Sequence, residues 1–212
     1  MISDMIQYAI KDSDRYIMLI EQHLLMDAVA LFICVIIGVP VGYLCAKKEK
    51  ISVPVTAIAT LFMMIPSLAL FAILQPIFGM GATPAMIALI LGGIPLIIIN
   101  TRSGYLNVDK NVCENSYALG MEHWRVCLMV ETPLALPSIL NGLRISAVSV
   151  IAGTAIATYI GAGGLGFYIE MGIGTRNFAV SYLGAFTVAF IAVTVDFVLS
   201  ILQKRQLKKV TY

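Results

Sequence analysis

Few residues in this chain are equipped for acid–base or metal chemistry, and their placement limits what the chain can do. Proton-coupled carriers need buried acids or histidines, which are costly in a bilayer and therefore mark function where they occur. From Ile51 to Thr101 there is no Asp, Glu, Lys or Arg. Asp27 and Asp196 alone approach the apolar segments, each near the end of one, and read as interfacial carboxylates, while His23 and His123 fall outside those segments. Cys34, Cys45, Cys113 and Cys127 form no C-x-x-C pair and have no histidine clustered with them, so they read as reduced, mostly buried thiols with no metal site. Gly161-Ala162-Gly163-Gly164-Leu165-Gly166 satisfies G-x-G-x-x-G. A dinucleotide site needs a strand before that run and a soluble helix after it. Here the run ends an apolar segment and reads as a flexible re-entry. No G-x-x-x-x-G-K-[ST] phosphate loop occurs. The chain is therefore expected to be no ATPase or other enzyme by itself, with no catalytic residues and no cofactor or metal of its own.

The elements around these residues are dictated by the solvent. The sequence is 59% apolar and 12% charged, with mean hydropathy +0.92, whereas a soluble domain carries roughly 25% charge. Too few charges remain to cover a water-facing surface. The formal net charge of +2 is too small to suggest nucleic-acid binding. No cleavable leader is expected, because the first apolar run follows an acidic, polar stretch.

A spanning helix needs about 20 mostly apolar residues. Five segments qualify: Leu24 to Ala46, Val53 to Phe78, Ala85 to Asn100, Ile145 to Ile160 and Phe178 to Leu202. Gly79-Met80-Gly81-Ala82-Thr83-Pro84 divides the second from the third. Lys47, Lys48, Lys50, Arg102, Lys110, Arg125, Arg144 and the tail Lys204, Arg205, Lys208, Lys209 fall on one side, against Lys11, Arg15 and Arg176 on the other. The positive-inside rule then sets the N-terminus outside and the C-terminus inside. The expected fold is an all-α integral membrane protein of five transmembrane helices. Residues 1–22 form an extracytoplasmic or interfacial segment, residues 23–203 the membrane domain, with a polar loop at about 102–144, and residues 204–212 a basic tail.

Pro40, Pro66 and Pro95 lie inside spans one to three and should bend them. Gly38, Gly42, Gly92 and Gly93 should allow close helix approach. The bends are either packing kinks or hinges along a pathway. Met63, Met64, Pro66, Ser67, Gly161, Gly163 and Gly164 are the candidates for pathway or hinge residues, with ordinary packing the competing reading.

The loop from Arg102 to Arg144 is too polar to span, yet it reads as helical. Val112, Ala118 and Leu119 are spaced among Asn111, Glu114, Asn115 and Ser116 at helical intervals. Gly120 breaks the pattern, Glu122-His123-Trp124-Arg125 follow, and a second short helix runs from Val126 to Val130. Pro133 and Pro137 are expected to stop it before span four. A small amphipathic helix held below a membrane suits a groove, and an exposed Trp124 suits an interface anchor. Packing on the membrane surface is the alternative.

Glu114-Asn115-Ser116, Gly120 and Pro133-Leu134-Ala135-Leu136-Pro137 resemble the EAA loop of bacterial ABC importer permeases. That pattern is Glu-Ala-Ala, three residues, Gly, about nine residues, then an apolar run ending in Leu-Pro. Glu114, Gly120, Leu136 and Pro137 match, while Asn115 and Ser116 replace the two alanines. Ile65-Pro66-Ser67-Leu68-Ala69-Leu70, Gly79-Met80-Gly81, Pro84-Ala85 and Asn100-Thr101 are similar to permeases for glycine betaine, carnitine and choline. The Gly161–Gly166 run is shared with methionine-type importers as well.

The resemblance implies a type I ABC importer permease in a bacterial plasma membrane, taking up quaternary ammonium or betaine compatible solutes by alternating access. It implies that the loop is a coupling helix, with Glu114, Gly120, Met121, Trp124 and Pro137 as its ATPase-coupling residues. The implied partners are two ATPase subunits that bind ATP and Mg, a second permease subunit (identical or a sister chain) and an extracytoplasmic substrate-binding protein. A methionine-type or other amino-acid importer permease is the nearest alternative. A secondary carrier or channel working alone is the rival from another class, disfavoured by the missing intramembrane charges and the lack of an inverted half-repeat.

Overall fold

A computed structural model describes residues 2–210. Among them all regular structure is helical. A short helix α1 (Ile2–Lys11) precedes α2 (Ser13–Lys47), α3 (Glu49–Met64), α4 (Ser67–Phe78) and α5 (Ala82–Leu106). The polar loop then forms α6 (Lys110–Ala118) and α7 (His123–Val126). A π turn (Cys127–Glu131) leads into α8 (Thr132–Ala157), which ends in a 3₁₀ turn (Thr158–Ile160). The chain closes with α9 (Gly166–Gly174) and α10 (Phe178–Val210). Four continuous helical stretches are long and apolar enough to cross a membrane, and the bent pair α3–α4 makes a fifth if it counts as one span.

Two expectations about these elements are corrected. The expected span one, Leu24 to Ala46, lies within a longer helix. Helix α2 runs 35 residues from Ser13, about 52 Å at 1.5 Å per residue, so it overshoots a hydrocarbon core of about 30 Å. Span two is not a single kinked rod: α3 and α4 meet at 98°. Ile65 before the proline is extended (ψ 120°), and Pro66 itself has φ −57° and ψ 139°, the extended geometry that proline forces on its predecessor. Finally, Pro133 and Pro137 do not stop a helix before span four, since His123 to Ile160 is one helical stretch. Pro133 is the second residue of α8, directly after the π turn. The π turn absorbs the change of register just before it, and Thr132 Oγ1 donates to the Cys127 carbonyl at 2.8 Å. At the other end of the chain, α10 carries the basic tail as far as Val210.

Helix α5 is the centre of the bundle, packed on α2 and α8. Small residues permit this. A Cβ at Gly42 would stand 2.6 Å from Thr101 Cβ, and one at Gly93 would stand 2.7 Å from Cys34 Sγ. Gly92, expected to serve the same purpose, faces open space. The outer face of α10 exposes Phe186, Phe190, Val193 and Phe197. That apolar helical stripe suits lipid as its neighbour.

Candidate functional site

Helices α6 and α7 form a hairpin that projects from the bundle between α5 and α8. Asp109 caps α6 by accepting from the Asn111 amide at 2.9 Å. Gly120 makes the turn with φ +81°, and nothing lies within 4 Å of where its Cβ would be. Glycine is therefore required at this position by backbone conformation rather than by crowding. The hairpin is fastened internally. Tyr117 stacks on His123, with centroids 5.7 Å apart and planes at 9°, and its hydroxyl pairs with His123 Nδ1 at 2.8 Å. Trp124 Nε1 donates to Glu122 Oε2 at 2.5 Å, and Arg125 lies 5.3 Å from the indole centroid.

Apart from the buried Val126, the large apolar groups of this hairpin and of the π turn after it face outward. Leu119 is 84% exposed and Trp124 56%, and Val112, Leu128 and Met129 are exposed too. Large apolar side chains exposed on a polar hairpin suit contact with a partner protein or with the membrane surface. Glu114 and Gly120 are exposed and Met121 half-buried on this same unit. Pro137 is not on it, being buried within α8.

Behind the hairpin lies a buried polar cluster that sequence reasoning missed. The carboxylate of Glu131, in the π turn, accepts from Lys47 Nζ at 2.6 Å and from Cys113 Sγ at 3.7 Å, both on Oε1. Tyr105 pairs with Thr132 at 2.8 Å and meets the Tyr43 ring edge-on at 4.9 Å. Burial pushes the Cys113 thiol up from its ordinary pKa, and the Glu131 charge adds to that, so the thiol stays protonated. The available signal was Glu131 itself, a lone acid in the otherwise uncharged run from Val126 to Leu143.

The opposite end of the bundle is closed by the glycine run. Gly161, Gly163 and Gly164 all have positive φ (75°, 85° and 84°). The run expected to be loose is fastened at several points. The Gly81 amide donates to the Ile160 carbonyl at 2.7 Å, Thr158 Oγ1 to the Gly163 carbonyl at 2.9 Å, and the Leu165 amide to His23 Nδ1 at 3.3 Å.

His23 and Asp27 are accordingly not interfacial groups. They are 0% and 4% exposed. Thr154 Oγ1 donates to Asp27 Oδ1 at 2.6 Å, and His23 Nε2 stands 3.5 Å from Asp27 Oδ2. Accepting on Nδ1 makes His23 the Nε2–H tautomer, and neither Nε2 nor Asp27 Oδ2 makes a hydrogen bond among the described residues. Residues near the N-terminus join this end as well: Tyr168 donates to Asp12 at 2.9 Å, and its ring meets Tyr8 and Tyr16 edge-on.

Between the two ends, polar groups remain accessible on one side. Ser67, Gly92 and Ser149 line a cleft between α4, α5 and α8. Asn141 donates to Asn100 at 3.0 Å. Arg144 holds Asp196 through two bonds of 3.0 Å, so this acid is an interhelical partner rather than a free interfacial carboxylate. Polar groups inside the membrane turn toward protein or water, so this side is the candidate pathway face. Pro66 and Ser67 are exposed beside the cleft, and Met63 and Met64 are exposed at the end of α3.

Comparison with known proteins agrees with this arrangement. Residues 38–212 match the family described as binding-protein-dependent transport system inner membrane component. The chain is 36% identical to the carnitine transport permease protein OpuCB of Listeria monocytogenes over 87% of this chain and 84% of that one. It is 35% identical to the osmoprotectant import permease protein OsmW of Salmonella typhimurium over 94% and 95%. A solved structure of the MetNI methionine ABC transporter in an inward-facing conformation superimposes with TM-score 0.78 at 24% identity, covering 87% of this chain and 93% of that one.

Proposed function

The chain belongs to the family of binding-protein-dependent transport system inner membrane components, and from that premise we propose that it is the permease subunit of an ATP-driven importer for quaternary ammonium or betaine compatible solutes such as glycine betaine, carnitine and choline. The observation that carries this reading is the α6–α7 hairpin, a helix–turn–helix outside the spans that exposes Leu119 and Trp124. Such a surface suits the groove of a partner subunit. The partner is an ATPase that binds ATP and Mg. It grips Glu114, Gly120, Met121 and Trp124, while Pro137 acts through the helix that continues from the hairpin. The hairpin and the basic tail face the cytoplasm, and the glycine end faces outward.

Two permease subunits line one pathway, two ATPase subunits seat below, and an extracytoplasmic binding protein delivers the solute. ATP binding draws the hairpins together and opens the pathway outward, and hydrolysis resets it. The work comes from the different affinity of the two states for nucleotide. The solute class is supported by the relatives, named for carnitine and osmoprotectant transport. The likeness to the methionine transporter concerns the fold alone. The test is uptake into proteoliposomes holding the permease with its copurified ATPase. Accumulation of labelled glycine betaine, carnitine or choline is expected only with ATP inside and the binding protein outside. Accumulation without an ATPase would overturn the reading, and methionine as the binding protein's ligand would move it to the amino-acid branch.

A further inference from the structure

The hairpin is continuous with α5 through Asp109 and with α8 through the π turn, but α2 precedes both in the chain and has no covalent link to it. Lys47 is the last residue of α2. Its ammonium reaches Glu131 at 2.6 Å across 84 residues of sequence. Glu131 is 6% exposed, and its side chain is 7% exposed against 33% for Lys47. The same carboxylate oxygen takes the Cys113 thiol of α6. One acid therefore joins three elements: the end of α2, the first half of the hairpin, and the π turn where the hairpin becomes α8.

A π turn widens the helix by one residue and re-aims the side chains that follow. Here it ends on the acid that points inward. Glu131 Oε2 makes no hydrogen bond among the described residues.

We infer that Glu131 and Lys47 are positioning residues, a strut that makes α2 move with the hairpin when the ATPase acts on it. The inference rests on the proposed docking of that hairpin. Without the strut the hairpin still docks and the ATPase still turns over, but displacement of the hairpin reaches α5 and α8 and is lost to α2. Mutations along a coupling network change coupling by about twofold to thirtyfold.

The test uses the permease–ATPase complex in lipid nanodiscs, with the loaded binding protein as stimulant. K47M, K47R, E131Q and the double variant K47M/E131Q are compared. Three quantities are read: ATPase copurified per permease, basal ATP hydrolysis, and stimulated hydrolysis together with uptake. The expected result is unchanged copurification and basal hydrolysis in all four. Stimulated hydrolysis and uptake should fall about tenfold in K47M and in E131Q. K47R, which keeps the cation, should stay within about twofold of the parent, and the double variant should be no worse than the weaker single, because both remove the same link.

Three results would overturn the strut: K47M that stimulates like the parent, single effects that multiply in the double variant, or loss of copurified ATPase in K47M. Failure of the parent complex to couple ATP to uptake would instead overturn the docking reading and the strut with it. K47M and K47R alter a partly exposed side chain, so they remain informative if E131Q fails to assemble.

Discussion

Both ends of the bundle bury polar groups, but only one also leaves large apolar side chains uncovered. At the glycine end, polar side chains turn inward and meet partners within the chain, Asp27 with Thr154, His23 Nδ1 with the Leu165 amide and Asp12 with Tyr168, while His23 Nε2 and Asp27 Oδ2 make no hydrogen bond among the described residues. At the hairpin end, large apolar side chains stand in the open, with Leu119 84% exposed. Side chains that meet partners within the chain hold a structure closed, whereas apolar surface left uncovered suits a partner. On the proposed function, the glycine end serves the stability of the permease and the hairpin end its docking.

The sharpest way to break this contrast is to cut the buried cluster. Asp27→Leu removes the acceptor of Thr154 and the neighbour of His23, and should destabilise the protein by about 3 kcal/mol. The expected outcome is a clearly lower melting temperature in detergent, with hairpin binding to the ATPase retained in whatever fraction stays folded. The mirror experiment is Trp124→Ala. It should leave the melting temperature unchanged and weaken ATPase binding about thirtyfold, the effect of losing an interface anchor worth about 2 kcal/mol, measured by titrating the ATPase onto nanodisc-held permease. If Trp124→Ala lowers the melting temperature as much as Asp27→Leu does, the two ends are not different in kind.

Gly120→Ala sharpens the picture at smaller scale. Its Cβ meets no atom, so the loss comes from the left-handed backbone alone, about 1 kcal/mol. It should weaken ATPase binding about fivefold, visible in the same titration. The smallest expected effect is on Cys113. Its pKa is raised by burial and by Glu131, so less thiolate is present at pH 8 than for a free thiol, and alkylation should climb with pH toward a midpoint above the ordinary thiol range. Glu131→Gln removes the charge that disfavours thiolate, lowers that midpoint and should speed labelling severalfold at pH 8. Equal labelling rates in the two proteins would mean that the acid does not act on the thiol.

Much of this architecture was legible in the chain. The uncharged stretch from Ile51 to Thr101 fixes membrane residence, and Gly79 to Pro84 marks the turn between α4 and α5. Gly120 announces the break in the hairpin, and its positive φ gives the physical reason. Other features were not legible. Pro66 promised a bend, but whether it would be a kink or a 98° break depends on what packs against both halves. Asp27 looked interfacial because it stands near the start of the apolar run. It is buried because α2 packs on α8 there, where Thr154 meets it. Pro133 looked like a stop signal, and the π turn before it removed the conflict.

By itself, the sequence determined solvent and segment. Hydropathy decides which residues enter lipid, and glycine and proline decide where helices turn, because both effects act within a few residues of chain. Tertiary structure alone decided which polar groups meet. Lys47 finds Glu131 across 84 residues and His23 finds Leu165 across 142. No local spacing encodes such pairs, because they exist only once α2, α5 and α8 have packed closely enough to exclude every other partner.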